Sequence, residues 1–157
     1  MKNSISYTFC DFLNDEHCTQ LATLINQYIT DPMGGGTILT PAKRLQLVNG
    51  LANHPSSFVL FLLFDHRIVG LATCFINFST FKARSYINIH DLIIDFNLRG
   101  KGLGRKLLQQ IEAIAKERNY CKITLEVRED NLVAQNLYIE LGYKDVIPKM
   151  HFWTKEL

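Results

Sequence analysis

The N-terminal third of the chain changes from strand-like to helix-like spacing of its apolar residues. Residues 4–10 alternate polar and apolar, which predicts a strand with one buried face. From Asn14 to Tyr28 the apolar residues recur every three or four positions, which predicts a helix capped by Asn14 with His17 at its third position. Residues 31–36 contain a proline and three glycines, so the helix ends before them.

A second helix is predicted to begin at Thr40, because a threonine followed by proline is a typical helix start. Its inner face would carry Leu45, Val48 and Leu51. The elements that follow are predicted as strands at 58–64, 68–78 and 86–94, a helix at 103–118, a strand at 122–127 and a helix at 132–141.

The order of these elements predicts an α/β fold. Residues 143–155 would supply one or two further strands, which gives a single mixed sheet of six to seven strands. The strand–helix–strand run from 86 to 127 is a crossover unit, so part of the sheet should be parallel, with helices on both faces. A length of 157 residues suits one domain over residues 1–157.

Composition and charge narrow the range of partners. The hydrophobic fraction is 47% and the charged fraction 20%, as in ordinary globular proteins. A net charge of +2 is small for a nucleic-acid-binding domain, and the longest apolar run, Phe58 to Phe64, is too short to span a bilayer. We therefore expect neither nucleic acid nor membrane as a partner. The N-terminal residues lack the pattern of a signal peptide, which favours a cytoplasmic location.

The cysteines and histidines give no sign of a metal site. The four cysteines contain no CxxC pair, and the five histidines form no HExxH motif or ligand-like cluster. We expect free thiols in a reducing compartment and no bound metal. A catalytic cysteine is the less favoured alternative.

The segment most informative about a ligand lies between the strand at 86–94 and the helix at 103–118. The loop reads Arg99-Gly100-Lys101-Gly102-Leu103-Gly104-Arg105-Lys106. Helix N-termini bind phosphates, glycines allow close backbone approach, and the basic residues add positive charge. The loop therefore predicts a polyphosphate ligand, although it matches neither the dinucleotide GxGxxG pattern nor Walker A. The alternative is a flexible basic turn without a ligand.

This loop, from Arg99 to Gly104, resembles the [QR]-x-x-G-x-[GA] motif of the GNAT superfamily of acetyl-CoA-dependent N-acetyltransferases. A second family pattern appears at residues 131–143, as Asn131-Leu132-Val133-Ala134-Gln135-Asn136-Leu137-Tyr138-Ile139-Glu140-Leu141-Gly142-Tyr143. The resemblance implies acetyl-CoA as cosubstrate, with its diphosphate held by the amides of Gly100, Lys101, Gly102, Leu103, Gly104 and Arg105. It also implies that Leu92, Ile93 and Ile94 hold the pantetheine arm between two splayed strands, with the Ile94 N–H polarising the thioester carbonyl.

The same resemblance assigns candidate catalytic roles. Tyr138 matches the family's general acid, and Asn131 would contact the cofactor; the alternative for Tyr138 is a helix residue that fills the core. His90 stands where the polyamine branch has a carboxylate, and it either accepts the amine's proton or only shapes the acceptor pocket. Simple strand alternation places His90 and Asp91 on opposite faces.

The acceptor is expected to be a small primary amine. Met33, Gly34 and Gly35 fall where the family builds its acceptor site, and Phe78 would line the same cleft; a plain linker is the alternative for the glycine loop. Two other functions stay open: a non-catalytic acyl-CoA-binding module, and acetylation of a protein amine. The alternation at residues 150–154 suits an edge or exchanged strand, as in a homodimer.

Overall fold

The computed structural model describes residues 4–157, which form two compact units. The first unit ends at Glu126 and the second runs from Val127 to Leu157. The first unit contains β1 (Ile5–Phe9), α1 (Asp15–Ile29), α2 (Pro41–Asn53), β2 (Ser57–Phe64), β3 (Arg67–Ser79), β4 (Arg84–Ile94), a 3-10 turn (Phe96–Leu98), α3 (Leu103–Glu117) and β5 (Ile123–Leu125). The second unit contains α4 (Leu132–Glu140).

The first unit contains one mixed sheet of five strands in the order β1-β2-β3-β4-β5. The first four strands pair antiparallel, and β4 pairs with β5 in parallel, which confirms the predicted crossover. The prediction of six to seven strands is wrong. Residues 143–157 form no strand, and Phe152 and Trp153 in this segment are exposed. Alternation produces a strand only where a neighbouring edge supplies hydrogen bonds, and this segment pairs with none within residues 4–157.

Local signals set the starts of the first two helices. The Asn14 side chain accepts hydrogen bonds from the amides of Glu16 and His17, which confirms it as the cap of α1. Thr40 caps α2 by accepting from the Lys43 amide. The predicted inward position of Leu45 is wrong, because 62% of this residue is exposed. The other two inward positions are confirmed, because Leu51 is buried and Val48 is partly buried against the hydrophobic core.

Helices cover both faces of the sheet, as predicted. On one face, α1 and α2 pack with the strands in a cluster of Leu21, Leu24, Ile25, Leu51, Val59, Phe61, Leu71 and Ile93. Tyr7 pairs with Leu62 on the opposite face, and its hydroxyl donates to the Lys106 carbonyl of α3 at 3.1 Å. The α3 helix therefore lies on that second face, where Leu107, Leu108 and Ile111 are buried. Within residues 4–157, each helix is too short or too polar to cross a membrane.

Candidate active site

The glycine-rich loop after β4 folds into a turn that leads directly into α3. The Asp95 side chain accepts from the Asn97 amide and shapes the 3-10 turn. Gly100 and Gly102 then take φ values of +76° and +73°, and a side chain added at either would meet no atom within 4 Å. The left-handed backbone favours glycine at both positions, and the space beside them is open.

The start of α3 carries unbonded helix amides and positive charge. Gly102 is the N-cap and provides no side-chain cap, and the helix begins with the bond from the Lys106 amide to the Gly102 carbonyl. Helix geometry therefore leaves the amides of Gly102, Leu103 and Gly104 without intrahelical acceptors. The sequence around them is basic, since one acidic residue accompanies Arg99, Lys101, Arg105 and Lys106 between residues 95 and 106. This arrangement suits an anion such as a diphosphate.

The end of β4 has one open edge. Pairing with β5 covers only three positions of β4 and ends where Ile89 faces Leu125. Pairing with β3 on the other side continues to Ile94. The backbone of β4 beyond Ile89 therefore has a strand partner on one side only within the described chain.

The hydrogen-bond alternation of β4 shows which amides face this open edge. The Asp95 amide donates to the Val69 carbonyl at 2.8 Å, so this pair is of the hydrogen-bonded type. Antiparallel pairs alternate in type, so Ile93 bonds to β3 while Leu92 and Ile94 direct their N–H and C=O groups away from it. A contact from outside the sheet is consistent with this direction, because Arg99 Nε donates to the Ile94 carbonyl at 3.3 Å.

A β-bulge changes the predicted alternation at His90. Asp91 faces Thr73 and Ile89 faces Cys74, so His90 is an extra residue in β4. The His90 ring lies 5.7 Å from the Phe75 ring, which packs against the α1/α2 cluster. Thr73 faces Val59 of the same cluster, so His90 and Asp91 lie on one face of the sheet. The prediction that they face opposite sides is wrong.

The surroundings of the bulge combine aromatic and ionisable groups. Phe75 lies between two imidazoles, since its ring is 4.9 Å from that of His54 and 5.7 Å from that of His90. His90 is exposed, whereas Asp91 is partly buried. Burial raises the pKa of Asp91, and the neighbouring His90 and the Thr73 hydroxyl oppose that rise. An exposed imidazole beside a partly buried carboxyl is suited to proton transfer.

The loop between α1 and α2 is tied to the glycine-rich loop. The Asp31 carboxylate accepts from the Met33 amide at 2.9 Å and from Arg99 Nη1 at 2.6 Å. The amides of Gly34 and Gly35 donate to the Asp31 carbonyl. Gly34 has no room for a side chain, because a Cβ there would lie 1.9 Å from the Tyr28 carbonyl oxygen. The loop is therefore held by hydrogen bonds and an ion pair, and its role in acceptor binding stays a prediction.

In the second unit, local hydrogen bonds account for much of the predicted motif. Asn131 caps α4 by accepting from the Ala134 amide at 3.2 Å. Gly142 follows the helix with a φ of +85°, as expected of a residue that ends a helix. The Tyr138 and Tyr143 rings lie 5.7 Å apart, and the Tyr143 amide donates to the Tyr138 carbonyl. The chemical roles of Asn131 and Tyr138 remain predictions.

Not every predicted site residue lies near the bulge. Phe78 is three positions beyond Phe75 on β3, so strand alternation puts it on the α3 face, where 62% of it is exposed. The structure does not bring Phe78 to the face that carries His90. The site also contains three residues that were not predicted from the sequence: Asp31, His54 and Phe75. Asp31 had one sequence signal, its position beside the glycine loop, and the other two had none.

Three of the four cysteines lack the lowered thiol pKa that is typical of a nucleophile. All four are free, and Cys74 is buried. Burial raises the pKa of Cys10 to about 12, and it also raises the pKa values of Cys18 and Cys74. These thiols are therefore protonated at neutral pH. Within residues 4–157, no three histidine, cysteine or acidic residues are grouped so that they could hold a metal ion.

Comparisons with known proteins agree with this architecture. The chain is 29% identical over 79 residues to thialysine N-epsilon-acetyltransferase from Bos taurus, and the match covers 50% of this chain and 46% of that protein. The chain thus spans less than half of this relative. A solved probable acetyltransferase superposes with a TM-score of 0.81 at 20% identity over 98% of both chains.

A solved aminoglycoside acetyltransferase from an uncultured soil metagenomic sample is also similar in fold. It superposes with a TM-score of 0.77 at 18% identity, over 98% of this chain and 97% of that one. The family model described as "Acetyltransferase (GNAT) family" matches residues 12–143, which include both β4 with its glycine-rich loop and the motif around α4. This chain belongs to the GNAT family of acetyltransferases.

Proposed function

We propose that this protein transfers the acetyl group of acetyl-CoA to a small primary amine. The observation that carries the proposal is the open edge of β4, which leads directly into a glycine-rich loop and the basic start of α3. This order of groups suits a ligand that has an extended amide-containing arm at one end and a diphosphate at the other. Acetyl-CoA supplies the activated acetyl group; when the amine attacks it, a C–N bond forms and the C–S bond breaks.

The cofactor residues are proposed as follows. The amides from Gly100 to Arg105 hold the diphosphate, with the side chains of Arg99 and Lys101 adding charge. Leu92 and Ile94 offer backbone groups to the pantetheine arm, because both face the open edge. Ile93 contributes less through its backbone, since its N–H and C=O bond to β3. The resemblance of residues 131–143 to the family pattern adds the Asn131 side chain as a further contact of the cofactor.

The Ile94 N–H is assigned the polarisation of the thioester carbonyl of acetyl-CoA. This amide faces the open edge and is fixed by the β3–β4 pairing, so it needs little reorganisation. Removal of one such donor from an acyl-transfer site typically costs about 10²–10³ in turnover. The Ile94 carbonyl, which belongs to the next peptide unit, accepts from Arg99 Nε at 3.3 Å.

Proton transfer is assigned to two side chains. His90 accepts the proton of the attacking amine, directly or through water, since its ring is exposed at the bulge beside Asp91. Tyr138 returns a proton to the departing thiolate, an assignment that rests on the family motif at residues 131–143. The base is needed because a protonated amine cannot attack, and the acid protonates the departing thiolate so that coenzyme A leaves as the free thiol.

The acceptor is proposed to bind on the face that carries His90. Phe75 presents an aromatic ring next to His90, and the loop of Met33, Gly34 and Gly35 is joined to Arg99 through Asp31. A small amine is favoured by the names of two proteins described above, thialysine N-epsilon-acetyltransferase and an aminoglycoside acetyltransferase.

The direct test is an acetyl-transfer assay. The protein is incubated with acetyl-CoA and a panel of primary amines that includes diamines, amino acids and aminoglycosides, and free thiol release is followed. Amine-dependent thiol release with a mass gain of one acetyl group on the amine supports the proposal. Calorimetric binding of coenzyme A without turnover of any amine would favour a non-catalytic acyl-CoA-binding module.

A further inference from the structure

An ion pair joins two loops that lie 68 residues apart in the chain. Asp31 belongs to the loop after α1, and Arg99 opens the glycine-rich loop before α3. Their contact is short, at 2.6 Å between Nη1 and Oδ2. Only 14% of the Asp31 side chain is exposed, so solvent screens this contact less than it screens an ordinary surface pair.

Asp31 organises its own loop as well as Arg99. One carboxylate oxygen, Oδ1, accepts from the Met33 amide, and the other, Oδ2, accepts from Arg99. The Gly34 and Gly35 amides bond to the Asp31 carbonyl, and the Gly36 amide bonds to the Ile29 carbonyl. Asp31 therefore contacts this turn through its side chain at Met33 and through its backbone carbonyl at Gly34 and Gly35. The Met33 amide and, next, Arg99 hold the pKa of Asp31 below its usual value.

Arg99 keeps donors for a further anion. A guanidinium has five N–H donors, and the contacts to Asp31 and to the Ile94 carbonyl use Nη1 and Nε once each. The donors left on Nη1 and Nη2 can bind a phosphate oxygen while the Asp31 contact is retained. A bound diphosphate would then fix Arg99 in place, and Arg99 would hold Asp31 more firmly.

We propose that Asp31 is a positioning residue that transmits cofactor binding to the loop of residues 31–36 through Arg99. The inference rests on the proposed function, because it takes coenzyme A as the ligand of the glycine-rich loop. Binding of the cofactor orders residues 31–36, so the acceptor side of the site is completed after the cofactor has bound. Coupling of this kind is reciprocal, so an acceptor held by this loop would also tighten cofactor binding.

Hydrogen exchange of residues 31–38 tests the proposal without knowledge of the acceptor. Exchange is followed with and without saturating coenzyme A, and calorimetry on the same samples verifies saturation. In the unmodified protein, coenzyme A should slow exchange of the amides from Met33 to Gly36 by about 3- to 10-fold, the low end expected for a coupling through one partly exposed pair. In Asp31→Asn, which keeps an acceptor for the Met33 amide but loses the charge, coenzyme A should bind and yet protect these amides less than about 1.5-fold.

The matched control is Glu112→Gln, which removes a 2.6 Å ion pair with Lys116 on α3. It should behave like the unmodified protein. Should Asp31→Asn fail to fold, Arg99→Lys serves instead, since an ammonium lacks the fork that reaches Asp31 and the Ile94 carbonyl together. Full protection in either variant overturns the inference, as does coenzyme A binding without protection in the unmodified protein. Absence of any coenzyme A binding would remove the proposed function as well, so the two failures are distinguishable.

Discussion

Gly102 offers a sharp test of the proposed diphosphate site. Its φ of +73° lies in the left-handed region, and a Cβ there would meet no atom within 4 Å. In Gly102→Ala the added methyl group therefore causes no clash in the free protein, and its folding cost is the left-handed backbone alone, about 1–2 kcal/mol. For a chain of this size, that corresponds to a fall in melting temperature of about 2–8 °C.

The effect on binding should be separate from this strain. The methyl group would occupy the open space at the start of α3, where we propose that the diphosphate lies against the helix amides. We expect coenzyme A to bind at least about tenfold more weakly, which is about 1.4 kcal/mol. Calorimetric titration with coenzyme A measures this change, and thermal unfolding monitored by circular dichroism measures the stability.

Gly142→Ala is the matched control. Gly142 has a φ of +85° and equally open surroundings, so the same substitution costs similar backbone strain. It is not among the residues that we propose bind the diphosphate. This variant should lose a similar amount of stability but keep its affinity for coenzyme A. Equal affinities in Gly102→Ala and the unmodified protein, at comparable losses of stability in the two variants, would refute the reasoning.

Three further predictions concern proton transfer and pH. Tyr138→Phe should lower turnover by about 10²-fold or more while the coenzyme A affinity stays within about twofold; unchanged turnover would remove Tyr138 as the acid. His90→Ala should lower kcat by about 10²-fold, whereas a change in the acceptor KM alone would make His90 a pocket residue. The pKa of Asp31 is lowered from 3.8, so its ionisation stabilises the fold and this contribution is lost as the pH falls below 3.8. The pKa of Asp91 is raised from 3.8, so its ionisation costs stability as the pH rises above 3.8. In urea unfolding from about pH 2.5 to 7, Asp31→Asn should therefore lose stability relative to the unmodified protein with rising pH, and Asp91→Asn should gain; trends of the same sign would contradict this.

The sequence predicted the elements well where the signals are local. Asn14, Thr40 and Gly142 act within one helical turn of their own positions, so their residue types alone indicated the helix ends. The parallel pairing of β4 and β5 also followed from element order, because a strand–helix–strand run closes in that way. The prediction of a strand in the tail was wrong because the alternating residues 150–154 have no partner strand within the described chain. No local pattern reveals whether a partner strand is present.

The site was less predictable, because it depends on register and on distant contacts. A single extra residue in β4 turns His90 and Asp91 to the same face, and simple alternation contains no sign of that bulge. The contact between Asp31 and Arg99 joins positions 68 residues apart, which periodicity does not address. The glycine-rich loop was predictable, since Gly100 and Gly102 occupy positive-φ positions that favour glycine.

The hydroxyl of Tyr7 has a practical consequence for redesign of this protein. Through its bond to the Lys106 carbonyl, the outermost strand β1 anchors the first turns of α3, the helix that begins at the glycine-rich loop. A chimera that replaces β1 with a strand from a relative would keep the sheet hydrogen bonds, because those depend only on backbone. Unless the grafted strand also has a tyrosine at position 7, the chimera would lose the hydrogen bond between β1 and the Lys106 carbonyl of α3.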